Sequence, residues 1–109
     1  MRLTDKEMEI MAVLWSSDVA LTATEIVKAS ENKTWKEASI YIIMTTLIKK
    51  GAVVVSSHKP TATNNARAYS PAMSSAECVV SYISSVRKAG VHIDLDEFVK
   101  LLRASEKKK

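Results

Sequence analysis

One short pattern recurs along this chain and fixes most of its architecture: a hydroxyl or carboxylate residue followed three positions later by glutamate, just ahead of an apolar stripe. It occurs as Thr4-x-x-Glu7, Thr22-x-x-Glu25, Thr34-x-x-Glu37 and Ser74-x-x-Glu77, with Asp94-x-x-Glu97 a close relative. In such a capping box the first side chain accepts from the N3 amide, and the glutamate reaches back to the cap's own N–H. Leu3 with Met8 and Leu21 with Ile26 add the spacing of a hydrophobic staple. Recurrent caps, each followed by helical apolar spacing, predict five helix starts.

The first helix is expected over residues 5–16, burying Met8, Met11, Leu14 and Trp15 at helical spacing. The second, over 23–31, carries Ile26, Val27 and Ser30 on one side. The third, over 35–50, is expected to be the longest and ends at Lys49-Lys50-Gly51. Cations there suit the helix dipole, and glycine takes the left-handed conformation beyond the cap without steric cost. The pattern then changes. Ala52 to Ser56 is rich in β-branched residues and reads as a strand. Residues 58–66, with Pro60, Asn64 and Asn65, carry turn chemistry, and Arg67 to Ser70 return as a second strand stopped by Pro71. Val19-Ala20-Leu21 is expected as a third short strand beside this hairpin. Two further helices are expected, Ser74 to Lys88 and Asp94 to Ala104, with Lys107-Lys108-Lys109 frayed.

That order defines a fold class that is mainly α with a small β wing: a winged helix-turn-helix followed by C-terminal dimerisation helices. Residues 1–72 are expected to form the winged-helix unit and residues 73–109 the helical segment. A chain of 109 residues accommodates one domain with at most a short appendage.

Composition narrows the function classes. No apolar run approaches the ~20 residues of a membrane span, and Met1-Arg2-Leu3-Thr4-Asp5 turns acidic without an apolar signal core. A cytoplasmic location is expected. Cys78 is the single cysteine, and His58 and His92 are the two histidines, so no paired metal-ligand spacing arises. With Gly51 and Gly90 the two glycines, the chain holds neither a phosphate-cradling loop nor a nucleophile elbow. No catalytic residues, metal or cofactor are expected, and the chain is read as a non-enzyme. Net charge is +4, which permits a nucleic-acid partner. The first 51 residues hold seven cations and seven acids, whereas residues 52–76 hold Lys59 and Arg67 and no acid.

The predicted third helix separates into two faces at ~100° per residue. Ile40, Ile43, Met44, Leu47 and Ile48 cluster on a core side; Trp35, Ala38, Ile42, Thr45, Thr46 and Lys49 lie opposite, with Ser39 and Tyr41 on the flanks. Preceded by a short helix, this is the arrangement of a recognition helix entering the major groove. The hydroxyls of Ser39, Tyr41, Thr45 and Thr46 can bond base edges or phosphates, and Ala38 and Ile42 can touch thymine methyls. Lys36, Lys49 and Lys50 suit phosphates, and Lys59 and Arg67 flank the hairpin tip as a wing on the DNA backbone requires.

Leu3-Thr4-Asp5-Lys6-Glu7-Met8-Glu9-Ile10-Met11 with Leu14-Trp15, the stretch from Thr34-Trp35 through Thr45-Thr46-Leu47-Ile48-Lys49-Lys50-Gly51-Ala52, and Ala68-Tyr69-Ser70-Pro71 ahead of the helix at Ser74 resemble the BlaI/MecI/CopY penicillinase-repressor family. The resemblance implies a dimeric repressor of inverted-repeat operators ahead of antibiotic-resistance or metal-homeostasis genes, with Ser39, Ile42 and Thr45 reading bases. Where relatives commonly carry Pro, Lys and a later Arg, this chain has Glu37, Ala38 and Thr46. The Asn-Phe cleavage site of the penicillinase-type members is absent, since Phe98 follows Glu97, and Cys78 cannot supply the Cys-x-Cys pairs of the copper-responsive members. The inducer or sensor partner is left open.

Ala76, Val79, Val80, Ile83 and Val86 form one apolar stripe, and Leu95, Phe98, Leu101 and Leu102 another. Two short amphipathic helices cannot enclose their own apolar faces. The expected dimer interface therefore comprises Val79, Val80, Ile83, Val86, Phe98, Leu101 and Leu102, and the expected partners are double-stranded DNA and a second copy of the chain. Two alternatives remain at this level: a winged helix used for protein contact, and a ligand- or metal-responsive regulator with weak DNA binding.

Overall fold

Three of the capping boxes form in full and start three of the helices. In the computed structural model, which describes residues 2–60 and 65–106, Thr4 caps α1 (Asp5–Trp15), Thr22 caps α2 (Ala23–Ala29) and Ser74 caps α4 (Ser75–Lys88). In each the glutamate carboxylate accepts from the cap residue's N–H at 2.8–2.9 Å. A helix α3 (Ile40–Lys49) and a helix α5 (Leu95–Glu106) complete the set. The Asp94 signal is half a box: Asp94 accepts from the N–H of Glu97 at 3.2 Å at the start of α5.

The fourth signal does not cap a helix, and this corrects the sequence reading. The N–H and hydroxyl of Thr34 donate instead to the Glu9 carboxylate on α1, while Glu37 lies 3.7 Å from Lys33. With Thr34 drawn away, the chain runs irregularly to a single 3₁₀ turn at Glu37–Ser39, and α3 begins only at Ile40. The third helix is thus ten residues, and among the described residues α4, with fourteen, is the longest. Trp35, expected on the outward face, is 4% exposed and belongs to the core. Lying ahead of the helix, it is not bound by the helical phase.

The exit from α3 follows the expectation. Gly51 has φ +79°, its N–H donates to the Ile48 carbonyl at 3.0 Å and that of Ala52 to the Leu47 carbonyl at 3.0 Å. These are the two bonds of a Schellman motif. The same pair recurs after α4, where Gly90 has φ +93° and Gly90 and Val91 donate to Arg87 and Val86.

The β elements form one antiparallel sheet in the order β1 (Leu21–Thr22), β3 (Asn65–Pro71), β2 (Val53–Pro60). Both hairpin strands run further than expected, pairing from Val53 opposite Pro71 to Pro60 opposite Asn65, with an irregularity at Ser56. His58, Pro60 and Asn65, expected in the turn, are in the strands; Asn64 lies outside the described residues, as do Lys107–Lys109. The third strand pairs through Leu21 and Thr22 rather than Val19.

The core gathers Ile10, Met11 and Leu14 of α1, Ile26 of α2, Ile40, Met44 and Leu47 of α3, and Trp35, Val53 and Tyr69. Two expected core residues stand partly in solvent: Met8 is 40% exposed and Ile48 is 37% exposed. The C-terminal pair attaches at one place. The Trp15 indole N–H donates to the Met73 carbonyl at 2.9 Å, and Cys78 is buried in the first turns of α4. Beyond that, α4 and α5 make no extensive contact with the winged-helix elements. The radius of gyration is 16.3 Å, against about 13 Å for a compact domain of this size, so the molecule is elongated.

Candidate nucleic-acid interface

Helix α3 is fixed from behind and open in front. Ile40, Met44 and Leu47, at i, i+4 and i+7, are buried against the core and set the rotation of the helix. That rotation turns Tyr41, Ile42, Thr45 and Lys49 outward, with Ile42 72% and Tyr41 64% exposed. Ala38, on the preceding 3₁₀ turn, and Lys36 are exposed beside them, while Ser39 and Thr46 are half-buried. Of the residues expected to meet DNA, Ala38, Tyr41, Ile42, Thr45 and Lys49 share one exposed ridge with Ser39 and Thr46 at its edge, and the described C-terminal residues do not cover it.

Two of the hydroxyls on that ridge already have acceptors. Thr45 Oγ1 donates to the Tyr41 carbonyl at 2.8 Å, and Thr46 Oγ1 to the Ile42 carbonyl at 3.1 Å. This back-bonding to the preceding turn is common for hydroxyl residues inside helices. It leaves each oxygen able to accept, and its proton occupied.

Beside the ridge, a cleft of about 530 Å³ opens between the start of α2, Tyr41 of α3 and the base of the wing. Thr22, Thr24, Asn65, Arg67 and Tyr69 line it with Tyr41. The sequence does not mark Thr24 as a site residue and marks Asn65 only as turn chemistry, because it is the pairing of β1 with β3 that brings the α2 start next to the wing.

The cations divide into free and engaged. Lys36, Lys49 and Arg67 are exposed and have no ion pair within 4 Å among the described residues. Lys50, expected to suit phosphate, is turned the other way: its Nζ lies 2.6 Å from Glu7 Oε1 and 3.0 Å from the Arg2 carbonyl. Lys59, on β2, lies 3.0 Å from Glu25 Oε1 on α2. The N–H of Thr22 and the Lys59 ammonium hold the Glu25 carboxyl below its ordinary value. Burial pushes the Glu7 carboxyl up, but the Lys50 ammonium and the Thr4 N–H outweigh it and leave that carboxyl lowered as well.

The sequence profile of the penicillinase repressors matches residues 3–108, nearly the whole chain. The chain belongs to the penicillinase repressor family. As a member of that family it is a transcriptional regulator, with a winged helix formed by α1–α3 and the β1–β3–β2 sheet. Among solved structures, this penicillinase-repressor chain is similar to the ferric uptake regulator Fur of Helicobacter pylori, at 18% identity and a TM-score of 0.49, over 86% of this chain and 73% of that one. Among the described residues no group of three or more His, Cys, Asp or Glu side chains comes together. No curated protein matches the chain. No described helix of this family member is long and apolar enough to cross a membrane.

The expected dimer residues also have definite places. Val79 and Val80 on α4, and Leu101 and Leu102 on α5, are half or more exposed or nearly so, with Leu101 at 63%. Ile83, Val86 and Phe98 are half-buried. Both stripes lie on helical faces, and within one chain Val79, Val80, Leu95, Leu101 and Leu102 keep about half or more of their surface in water.

Proposed function

We propose that the chain is a sequence-specific DNA-binding transcriptional repressor, acting in the cytoplasm as a homodimer on an inverted-repeat operator. Residues 1–72 form the DNA-binding unit and residues 73–109 the dimerisation segment. The observation that carries this reading is the open ridge of α3. Ala38, on the 3₁₀ turn, and Tyr41, Ile42, Thr45 and Lys49 project together along a helix whose opposite face is locked into the core, the requirement for a helix that enters the major groove. Lys36 and Lys49 reach phosphates at its two ends, and Arg67 with Tyr41, Thr24 and Asn65 forms a polar seat for the backbone beside the wing.

The dimer follows from the C-terminal helices. An exposed apolar surface such as that of Val79, Val80, Leu101 and Leu102 is characteristic of an interaction site, and a symmetric pair would place two ridges about one DNA turn apart, ~34 Å. The genes controlled are those of antibiotic resistance or metal homeostasis, by resemblance to the family. Release requires an inducer or sensor partner that acts without the Asn-Phe site or Cys-x-Cys pairs.

Titration of duplex DNA at several salt concentrations tests the reading, alongside sedimentation of the free protein. Expected are a dimer, preference for an enriched sequence over random duplex, and affinity that falls linearly with salt on a log–log plot. A protein-contact module is the second reading, favoured by the internal pairing of Lys50 and Lys59 and by exposed Ile42. Absence of binding to any duplex at low salt would select it.

A further inference from the structure

The ridge of α3 is poor in side chains that read bases by paired hydrogen bonds. From Lys36 to Lys49 there is no Arg, Asn or Gln, and of the residues that make two-pronged contacts with guanine or adenine only lysine is present, as Lys36 and Lys49 at the two ends. The hydroxyl protons of Thr45 and Thr46 are taken by the carbonyls of Tyr41 and Ile42. At the centre of the ridge stands Ile42, 72% exposed, about one turn after Ala38 and three residues before the exposed Thr45. In a groove such a surface would strip water from base-edge donors and acceptors without replacing the lost bonds, and that is unfavourable. The major groove of unmodified DNA offers one apolar group, the thymine 5-methyl.

We propose that this chain discriminates its DNA target chiefly through thymine 5-methyl groups seated against Ile42, Ala38 and the Thr45 methyl, rather than through donor–acceptor pairing with base edges. This inference rests on the DNA-binding reading above and specifies what that helix reads. Each half-site then contains one or two thymines whose methyls, not their O4 atoms, determine affinity. The remaining positions are bound through phosphates and tolerate change.

Substitution of deoxyuridine for thymidine removes the methyl and keeps every hydrogen-bonding group, so it isolates the effect. Duplexes enriched by the intact protein from a random-sequence pool are remade with each thymidine replaced in turn by deoxyuridine, and affinities are measured at one salt concentration. The expected result is a loss of about fourfold per methyl at one or two positions in each half-site, the effect of removing one buried methylene-sized group. With Ile42→Ala, an exposed change that does not touch the core, thymidine and deoxyuridine should be bound alike at the position facing residue 42. Equal affinity for all deoxyuridine duplexes in the intact protein, with the enriched sequence still preferred over random duplex, would overturn methyl readout and leave DNA recognition standing. Failure of any sequence to be enriched would overturn the DNA-binding reading itself, and this inference with it.

Discussion

The Lys59 ammonium on the wing lies 3.0 Å from Glu25 Oε1, the same carboxylate oxygen that closes the capping box of α2 by accepting from Thr22 N–H at 2.9 Å. One acid thus holds the start of a helix and tethers the wing to it. The tether occupies Lys59, whereas the other wing cation, Arg67, is exposed.

Neutralising that acid should free the cation. Glu25→Gln keeps a side chain able to cap α2, and it leaves Lys59 without its partner. On the DNA-binding reading, affinity for duplex rises by up to about fivefold, the upper worth of an exposed ion pair. The log–log salt slope steepens by about 0.9, as for one added phosphate contact. Fluorescence anisotropy with a labelled duplex over a salt series measures both. An unchanged slope would mean that Lys59 stays clear of the backbone even when released.

The second internal pair has a different consequence. Glu7 is buried, and Lys50 reaches it from the end of α3 while also donating to the Arg2 carbonyl. Lys50→Met leaves the carboxylate without its cation in a place where water reaches it poorly. Removing one partner of a fully buried pair costs 3–5 kcal/mol; with Lys50 itself partly solvated, about 2 kcal/mol is expected. Urea unfolding of the two proteins gives the difference directly. Because Lys50 faces inward, DNA affinity measured well below the unfolding temperature should change little.

Acid sensitivity follows from four carboxylates together. Thr34 hydroxyl and N–H lower the carboxyl of Glu9, and the N–H and hydroxyl of Ser74 lower that of Glu77, as Glu7 and Glu25 are lowered by the contacts already described. A carboxyl with a folded-state value below its unfolded one stabilises the fold above the unfolded value, here 4.5, and that contribution is lost as pH falls through the folded value. Unfolding free energy should therefore stay nearly level on the acid side down to about pH 5 and then drop. Glu7→Gln should flatten part of the drop. Stability that instead rises below pH 4.5 would contradict the assignment of these contacts.

Trp35 is expected to tolerate loss of its nitrogen better than loss of its ring. Its indole N–H is buried and has no partner among the described residues, so Trp35→Phe removes an unsatisfied donor along with some volume. The cost should stay below about 1.5 kcal/mol. Trp35→Ala opens a cavity among Ile40, Met44 and Leu47 and should cost about 3–5 kcal/mol. Thermal or urea denaturation separates the two, and near-equal losses would show that the indole nitrogen contributes more than the ring.

What the sequence discloses and what it hides divide along chain distance. The boxes at Thr4, Thr22 and Ser74 are legible because both halves lie within four residues, and Gly51 is legible because its conformation is local. The outward position of Ile42 follows from the spacing of Ile40, Met44 and Leu47. Thr34 is misread because Glu9, on another helix, competes for its hydroxyl and N–H. Lys50 and Lys59 look like free phosphate ligands until Glu7 and Glu25 arrive beside them through tertiary packing. Trp35 is misplaced by extending a helical phase over residues that are not helical. The cleft lined by Thr24, Asn65 and Arg67 depends on strand order, which no local pattern encodes.

The bond from the Trp15 indole to the Met73 carbonyl fastens the chain immediately before α4, and little else restrains the helix beyond Cys78. A rod held near one end behaves as a lever. At 1.5 Å per residue the fourteen-residue α4 is about 21 Å long, so tilting it by ten degrees about Met73 carries its far end roughly 4 Å sideways. A tilt of that size at Met73 would thus appear at the far end of α4 as a displacement comparable to the spacing between neighbouring base pairs.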